Sequence, residues 1–178
     1  MPGKKEDPAS PPQSPVVNVA DVVATINRAR AVYGAARLEH LPSGIRLNPS
    51  HCPIARAFRM GVSQPLFFAV GSEGLRVEAL GWDPAEIAHA IKAAWYGPAP
   101  FVEGDPLSSV VHMPSELRSF VKQFDAGKLP SYVGVPEGAE LATVTALARK
   151  IADAKAVSAR DSSRIRRGSR TREKIPRG

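Results

Sequence analysis

The stretch Asn48-Pro-Ser-His-Cys-Pro-Ile-Ala-Arg-Ala-Phe-Arg-Met-Gly61 holds the only cysteine of the chain and one of its four histidines. Pro53 disfavours helical geometry at Cys52, yet it is well suited to the first position of a helix. We therefore predict a turn over 48–51, Cys52 as the N-cap, a helix over 53–60 and Gly61 as its left-handed stop. The apolar residues of this helix, which we expect to face the core, are Ile54, Ala57 and Phe58.

Two segments precede this stretch. Residues 1–16 contain five prolines among Lys, Ser and Gln, and such a segment buries too little apolar area to offset its ordering entropy, which predicts a disordered leader. Asn18 is a candidate N-cap, and the apolar residues behind it recur at helical spacing, which predicts an amphipathic helix over 18–37. Its arginines, expected to form a solvated face or alternatively to contact phosphates, are Arg28, Arg30 and Arg37.

A hairpin and three further helices are predicted after Gly61. Residues 66–70 have the composition of a buried strand, 71–74 have turn chemistry, and 75–79 alternate between apolar and charged. Asp83 and Pro84 are placed to start a helix, with Trp82 and Ile87 as a hydrophobic staple. The remaining elements are a short strand over 110–113, a helix beginning at Pro114 and ending at Gly127, and a last helix over 137–156.

These elements predict an α+β fold, with a small antiparallel sheet of a hairpin plus one strand, packed by several helices. We expect one domain over 17–157, consisting of a core over 45–133 and flanking helices over 18–37 and 137–156. Residues 158–178 lack an apolar pattern and are predicted to form a disordered basic tail.

Composition restricts the cellular setting. The 178 residues suit one domain, and they contain no apolar run of about eighteen residues, so we expect no membrane insertion. The N-terminus has two lysines but no apolar region behind them, unlike a secretory signal. A single cysteine excludes an internal disulfide and favours a reducing compartment. We expect a cytoplasmic protein.

The positive charge is concentrated at the C-terminus. From Ala146 onward there are eleven Lys and Arg against three Asp and Glu, a net charge of +8. The rest of the chain has 13 basic and 14 acidic residues, a net charge of −1, within a total of +7. This separation indicates a nearly neutral body with a basic appendage.

The basic appendage predicts contact with the phosphate backbone of DNA or RNA, which attracts Lys and Arg through counterion release without reading sequence. No aromatic residue lies among the arginines, so base stacking on a single strand is not indicated. The alternatives are a solubilising tail or a tail that contacts an acidic protein. The candidate nucleic-acid-binding residues are Arg160, Arg164, Arg166, Arg167, Arg170, Arg172, Lys174 and Arg177.

Cys52 and His51 are the only candidates for catalysis. A thiol at a helix N-terminus can have its thiolate stabilised by free N–H groups, and His51 is adjacent in sequence. The alternative is that Cys52 caps or packs the helix, as lone cysteines commonly do. No His or Cys pair has metal-ligand spacing, and no glycine-rich loop has phosphate-binding spacing. We therefore expect no enzyme, no cofactor and no metal.

Two motifs in the central part of the chain carry a resemblance. They are Asn48-Pro-x-x-Cys52-Pro53-Ile54-Ala55-x-Ala57 and Met113-Pro114-x-x-Leu117-x-x-Phe120-Val121-x-x-Phe124-Asp125-x-Gly127. Together they resemble small proteins of actinobacteria and their phages, over residues 48–133. That group has no assigned activity, so the resemblance implies a bacterial or phage origin and transfers no catalytic residue.

The leading functional hypothesis is a non-enzymatic bacterial or phage accessory protein that is tethered to nucleic acid through its basic C-terminal tail. One alternative is a protein–protein interaction or regulatory module, homo-oligomeric or with another partner, that uses the apolar faces of the first or last helix. The third is a thiol-dependent enzyme that uses Cys52.

Overall fold

A computed structural model describes residues 16–98, 108–135 and 138–170, with the backbone alone at 139 and 161–170. These residues form five α-helices and a three-stranded antiparallel sheet, which confirms the predicted α+β class. The elements are α1 (Val19–Ala31), α2 (Pro53–Arg59), β1 (Leu66–Gly71), β2 (Gly74–Ala79), α3 (Pro84–Tyr96), β3 (Val110–Val111), α4 (Ser115–Asp125) and α5 (Gly138–Arg170), with a 3-10 turn at Pro130–Tyr132 before α5.

Helices α1, α2 and α3 each begin directly after an N-cap residue whose side chain accepts a backbone hydrogen bond. Asn18 and Asp83 accept hydrogen bonds from the backbone two residues on, at 3.1 and 2.9 Å. Cys52 caps α2, its Sγ accepting from the Ala55 N–H at 3.4 Å. All three N-caps were predicted, because a side-chain acceptor can satisfy the first free N–H groups of a helix. Pro114 is the N-cap of α4 rather than its first residue.

Strand β2 is the centre of the sheet, between β1 and β3. Each pairing is antiparallel, and Gly71 pairs with Gly74 across the hairpin turn. Alternate residues of β1 face opposite sides of the sheet, as the two-residue period of a strand requires. Phe68 belongs to the main core and Phe67 to a smaller cluster on the other face. The sheet therefore separates two packing regions of unequal size.

The main core is centred on α2. Its predicted core residues Ile54, Ala57 and Phe58 are fully buried, as expected. The ring of Phe58 lies 5.2 Å from that of Phe68 and meets Trp95 edge-on at 6.1 Å. Helices α1, α3 and α4 complete this core around the sheet.

The turn before α2 packs closely against Gly44. A Cβ at this position would lie 2.5 Å from the carbonyl oxygen of His51 and 2.5 Å from the nitrogen of Pro53. The Gly44 N–H donates to Tyr132, and Gly134 donates back to the Gly44 carbonyl. The turn over 48–51 and the start of α2 are thus held between the main core and the segment that leads to α5.

The predicted extent of the first helix was wrong at its end, because α1 stops at Ala31 rather than continuing to residue 37. The side-chain amide of Asn27 donates to the Leu38 carbonyl at 2.9 Å and accepts from the Leu38 N–H at 2.8 Å. These paired hydrogen bonds fold the following segment back onto the helix, around Gly34 at φ 71°. Within α1, Arg30 is buried rather than on a solvated face.

Helix α5 is longer than predicted, because its backbone stays helical to Arg170 instead of ending near residue 156. The prediction relied on the end of the apolar stripe, whereas Ala and Arg favour the helix without a packing partner. The first Gly or Pro after Gly138 is Gly168, so no strong helix breaker interrupts the segment before it. Residues 158–170 are therefore helical, while the predicted leader up to residue 15 and the tail at 171–178 lie outside the described residues.

Candidate functional site

Cys52 lies at the N-terminus of α2, as the hypothesis of a reactive thiol requires, but it is buried there. Only 4% of the residue is exposed. Burial raises the pKa of the Cys52 thiol to about 11, and the hydrogen bonds from the helix N-terminus offset only part of this effect. At neutral pH the side chain is thus the protonated thiol, whereas a nucleophilic cysteine needs a lowered pKa. Its geometry is that of a buried cap.

His51 does not act on Cys52. Its Nδ1 lies 3.2 Å from Oδ1 of Asn48, the same oxygen that accepts the backbone N–H groups of Ser50 and His51. Burial and then the positive charge of Arg59 lower the pKa of the imidazole. His51 is therefore a neutral, buried part of the turn before α2.

The side chain of His51 belongs to a polar group at the junction of α2 and α5, which we call the arginine cluster: His51, Arg56, Arg59 and Glu140. Arg56 donates to both carboxylate oxygens of Glu140, from Nε at 2.8 Å and from Nη2 at 2.5 Å. Its Nη1 donates to the carbonyl oxygen of Ser43. Arg59 Nη1 donates to the carbonyl oxygen of Phe68 at 3.2 Å. The cluster joins α2, β1 and the first turn of α5.

An open pocket of about 730 Å³ lies against the arginine cluster. One wall is formed by α2 and the loop 60–65, and the other by the first half of α5. Arg56, Arg59, Glu140 and Lys150 supply its charged groups, and the rest of its lining is mainly apolar. Concave sites of this size with a few polar groups are typical of small-molecule binding.

The pairing of Glu140 with Arg56 gives α5 a pH-dependent attachment. The Arg56 hydrogen bonds hold the pKa of the Glu140 carboxyl below its usual value of 4.5. Because the folded-state pKa is lowered, the stabilisation is fully present above pH 4.5 and is lost as the pH falls through the folded-state pKa. We expect Glu140→Gln to lower the free energy of unfolding by about 1 kcal/mol near pH 7, and by less near pH 3, in urea titrations followed by circular dichroism.

The matched control for Glu140→Gln is Glu78→Gln. Glu78 forms an ion pair with Lys155 of the same helix at 2.8 Å, but the lysine side chain is 62% exposed. Such a pair contributes little, so Glu78→Gln should change stability by less than about 0.5 kcal/mol. If the two variants lose the same stability at neutral pH, Glu140 does not anchor α5 in the way described.

The predicted nucleic-acid-binding residues begin on a solvated part of α5. All residues from 152 to 160, including Arg160, are exposed. Arg164, Arg166, Arg167 and Arg170 continue the same helix. Arg172, Lys174 and Arg177 lie outside the described residues. The structure thus brings the first five onto one continuous helical segment.

The apolar face of α1, predicted as one of two candidate partner surfaces, is used by the core, because Val22, Ile26 and Ala29 are fully buried. On α5, Val144 and Ile151 pack against Phe67 in the smaller cluster. Neither α5 nor any other described helix has the continuous apolar stretch that crossing a bilayer requires. In the parts of the chain that the structure covers, no three His, Cys, Asp or Glu side chains are grouped to hold a metal ion.

Comparison with protein-family models, with curated proteins and with solved structures gave no match for this chain.

Sequence reasoning missed the arginine cluster. Arg56 and Arg59 lie inside the stretch 48–61 that also contains Cys52, but Glu140 is 84 residues from Arg56 in the sequence. The one available signal was two arginines a single turn apart on a helix whose other residues are apolar. Such a pair on a buried helix requires acceptors from elsewhere in the fold, because buried charges need partners.

Proposed function

We propose that the protein is a non-enzymatic bacterial or phage accessory protein, tethered to DNA or RNA by the C-terminal part of α5 and the residues beyond it. We call residues 152–178 the basic arm. The observation that carries the proposal is that its first nine residues are exposed while the helix continues to Arg170. An exposed cationic segment can reach a phosphate backbone without interference from the fold, although Lys155 near its start also pairs with Glu78 of β2.

The charge of the basic arm supports this proposal. It contains nine Lys and Arg against three Asp and Glu, on a chain whose other residues are close to neutral. The helical part, 152–170, spans about 28 Å at 1.5 Å per residue. Double-stranded DNA carries one phosphate per about 1.7 Å of its axis, so many phosphates lie within reach of such a helix. Binding of this kind is strong at low salt and independent of sequence.

The helical form of the arm also favours binding. An unstructured tail loses conformational entropy when it is ordered on a partner, whereas a segment that is already helical loses less. Arg160, Arg164 and Arg167 recur at i, i+4 and i+7, the spacing that places residues along one side of a helix. This spacing supports simultaneous contacts along one phosphate backbone.

Deleting residues 159–178 should lower the affinity for a random DNA duplex of about 25 base pairs by about a hundredfold or more at low salt. The measurement is fluorescence anisotropy of the labelled duplex, with an RNA duplex in parallel. Circular dichroism of both proteins establishes that the body remains folded.

A charge-matched pair of variants distinguishes the contribution of the basic arm to DNA affinity from that of the net charge of the whole chain. One variant carries Gln at Arg160, Arg164 and Arg167, and the other carries Gln at the exposed body positions Arg37, Arg76 and Arg118. We expect a loss of affinity of at least about tenfold for the arm variant and little change for the body variant. Equal losses, or undiminished binding by the truncated chain, would exclude the arm as the tether.

A further inference from the structure

The basic arm begins as a helix that is exposed on every side. Ile151 is buried, and the residues from 152 to 160 are exposed without exception. Nine consecutive residues of an α-helix make two and a half turns, so they cover all sides of it. Lys155 pairs with Glu78 of β2, and its side chain remains 62% exposed. A partner can therefore surround this part of α5 rather than contact a single face.

The helix beyond Lys155 is slim. Residues 156–170 contain seven Ala, Ser or Gly, five Arg, one acidic residue and no aromatic residue. The backbone is helical throughout, which gives a length of about 22 Å at 1.5 Å per residue. An α-helix with its side chains is about 10–12 Å in diameter, and small side chains keep it at the lower end. The major groove of B-form DNA is about 12 Å wide and admits such a helix.

The arginines of residues 156–170 follow two sides of the helix. Arg160, Arg164 and Arg167 recur at i, i+4 and i+7 along one side. Arg166 and Arg170 are four residues apart and share another side, and adjacent residues such as Arg166 and Arg167 lie about 100° apart around the axis. A helix in a groove has a phosphate backbone on each of two sides. Two rows of cations match that arrangement, whereas contact with a single backbone would use only one row.

The packed first half of α5 supports the exposed half in its helical form. Val144 and Ile151 pack against Phe67 of β1. Starting a helix is the unfavourable step, and each further residue then adds a hydrogen bond to a helix that already exists. An isolated segment as short as 156–170 would be only marginally helical in water. Because it extends a packed helix, the arm meets its partner in a defined shape.

That shape distinguishes duplex DNA from duplex RNA. A-form RNA has a deep and narrow major groove and a wide, shallow minor groove. A helix of about 10 Å diameter therefore enters the major groove of B-form DNA but not that of an RNA duplex. Both duplexes carry one phosphate per nucleotide, so charge attraction by itself separates them little.

We propose that residues 156–170 lie in the major groove of duplex DNA, with Arg160, Arg164 and Arg167 on one phosphate backbone and Arg166 and Arg170 on the other. This inference rests on the proposed tether and narrows its partner from nucleic acid in general to B-form DNA. Contacts to phosphates carry no sequence information, so unrelated DNA duplexes bind alike.

The test compares three labelled duplexes of one sequence, about 25 base pairs long, by fluorescence anisotropy with the intact chain at the same salt concentration. We expect DNA to bind about tenfold or more tightly than RNA. The third duplex is DNA with glucosylated 5-hydroxymethylcytosine in place of cytosine, whose sugar fills the major groove without adding charge. Its affinity should fall by about tenfold relative to plain DNA.

The outcomes separate the groove from the tether. Equal affinity for DNA and RNA, or for plain and glucosylated DNA, would overturn the placement in the major groove while leaving the tether intact. Binding of none of the three duplexes would overturn both.

A pair of variants with unchanged charge tests the helical form. Ser163→Pro interrupts the helix, because proline lacks the N–H and clashes with the preceding turn, and the seven residues 164–170 are too few to stay helical alone. We expect about tenfold weaker DNA binding, loss of the preference for DNA over RNA, and a lower helix content by circular dichroism. Ser163→Ala is the matched control and should keep all three. Equal DNA affinity and equal preference in the two variants would reject the helix in the groove.

Discussion

Replacing Arg30 by Met is expected to lower the free energy of unfolding by about 3–5 kcal/mol, because it removes a buried guanidinium that donates to three carbonyl oxygens, one of which is buried. Arg30 is 1% exposed. Its guanidinium donates to the carbonyl oxygen of Ala36 at 3.1 and 2.7 Å, to that of Met60 at 2.6 Å, and to that of Ala57. Ala57 and Met60 supply free carbonyls at the C-terminal end of α2.

The position of Arg30 explains how a buried charge is tolerated without an acidic partner. The C-terminus of a helix carries a partial negative charge, and the guanidinium meets that end of α2. Burial lowers the pKa of Arg30, which reflects the loss of water around the charge. Methionine fills a similar volume but supplies no donor, so the buried carbonyl of Ala57 would be left without the hydrogen bond that Arg30 provides.

Urea unfolding followed by circular dichroism measures the effect of Arg30→Met, and Arg28→Met is the matched control. Arg28 is on the same helix but exposed, and its guanidinium donates to the Thr25 hydroxyl at 3.1 Å. Its replacement should change stability by less than about 1 kcal/mol. Similar losses in the two variants would mean that Arg30 does not organise the junction of α1 and α2.

The second large effect is expected for Phe58→Ala, a loss of about 3–5 kcal/mol in the free energy of unfolding. Phe58 is fully buried, and its ring contacts those of Phe68 and Trp95. The Tyr33 hydroxyl also donates to the Phe58 carbonyl at 2.9 Å, so the residue lies where α1, α2, α3 and the sheet meet. Truncation there leaves a cavity that rigid neighbours on several elements cannot close.

Trp82→Ala is the control for Phe58→Ala in thermal and urea unfolding. Trp82 was predicted to form a staple over Ile87, but it is 58% exposed, so its removal should change stability by no more than about 0.5 kcal/mol. A loss for Phe58→Ala below that of Trp82→Ala would contradict the central position of α2 in the core.

The parts of the fold that depend on local chemistry could be predicted from the sequence. The N-caps at Asn18, Cys52 and Asp83 were confirmed because a cap is decided by one side chain and the next few backbone N–H groups. The hairpin was predictable because its turn residues and its alternation lie within one short segment. The sequence of residues 48–61 correctly predicted both the first residue of α2 and the side of this helix that is buried.

The parts that depend on distant contacts could not be predicted. The burial of Arg30 requires carbonyl groups 27 and 30 residues away, and an arginine on an amphipathic helix ordinarily indicates a solvated face. Glu140 meets Arg56 only when α5 lies across the sheet. The length of α5 was underestimated because propensity can maintain a helix after its apolar stripe has ended.

The most direct test of the proposed tether is the salt dependence of duplex DNA binding by the intact chain. Residues 159–178 carry eight Lys and Arg. With about five of them on phosphates, the logarithm of the binding constant should fall against the logarithm of salt concentration with a slope of about −4 or steeper, and equally for unrelated duplex sequences. A slope near zero, or no binding at low salt, would contradict the proposal that the basic arm tethers this protein to nucleic acid.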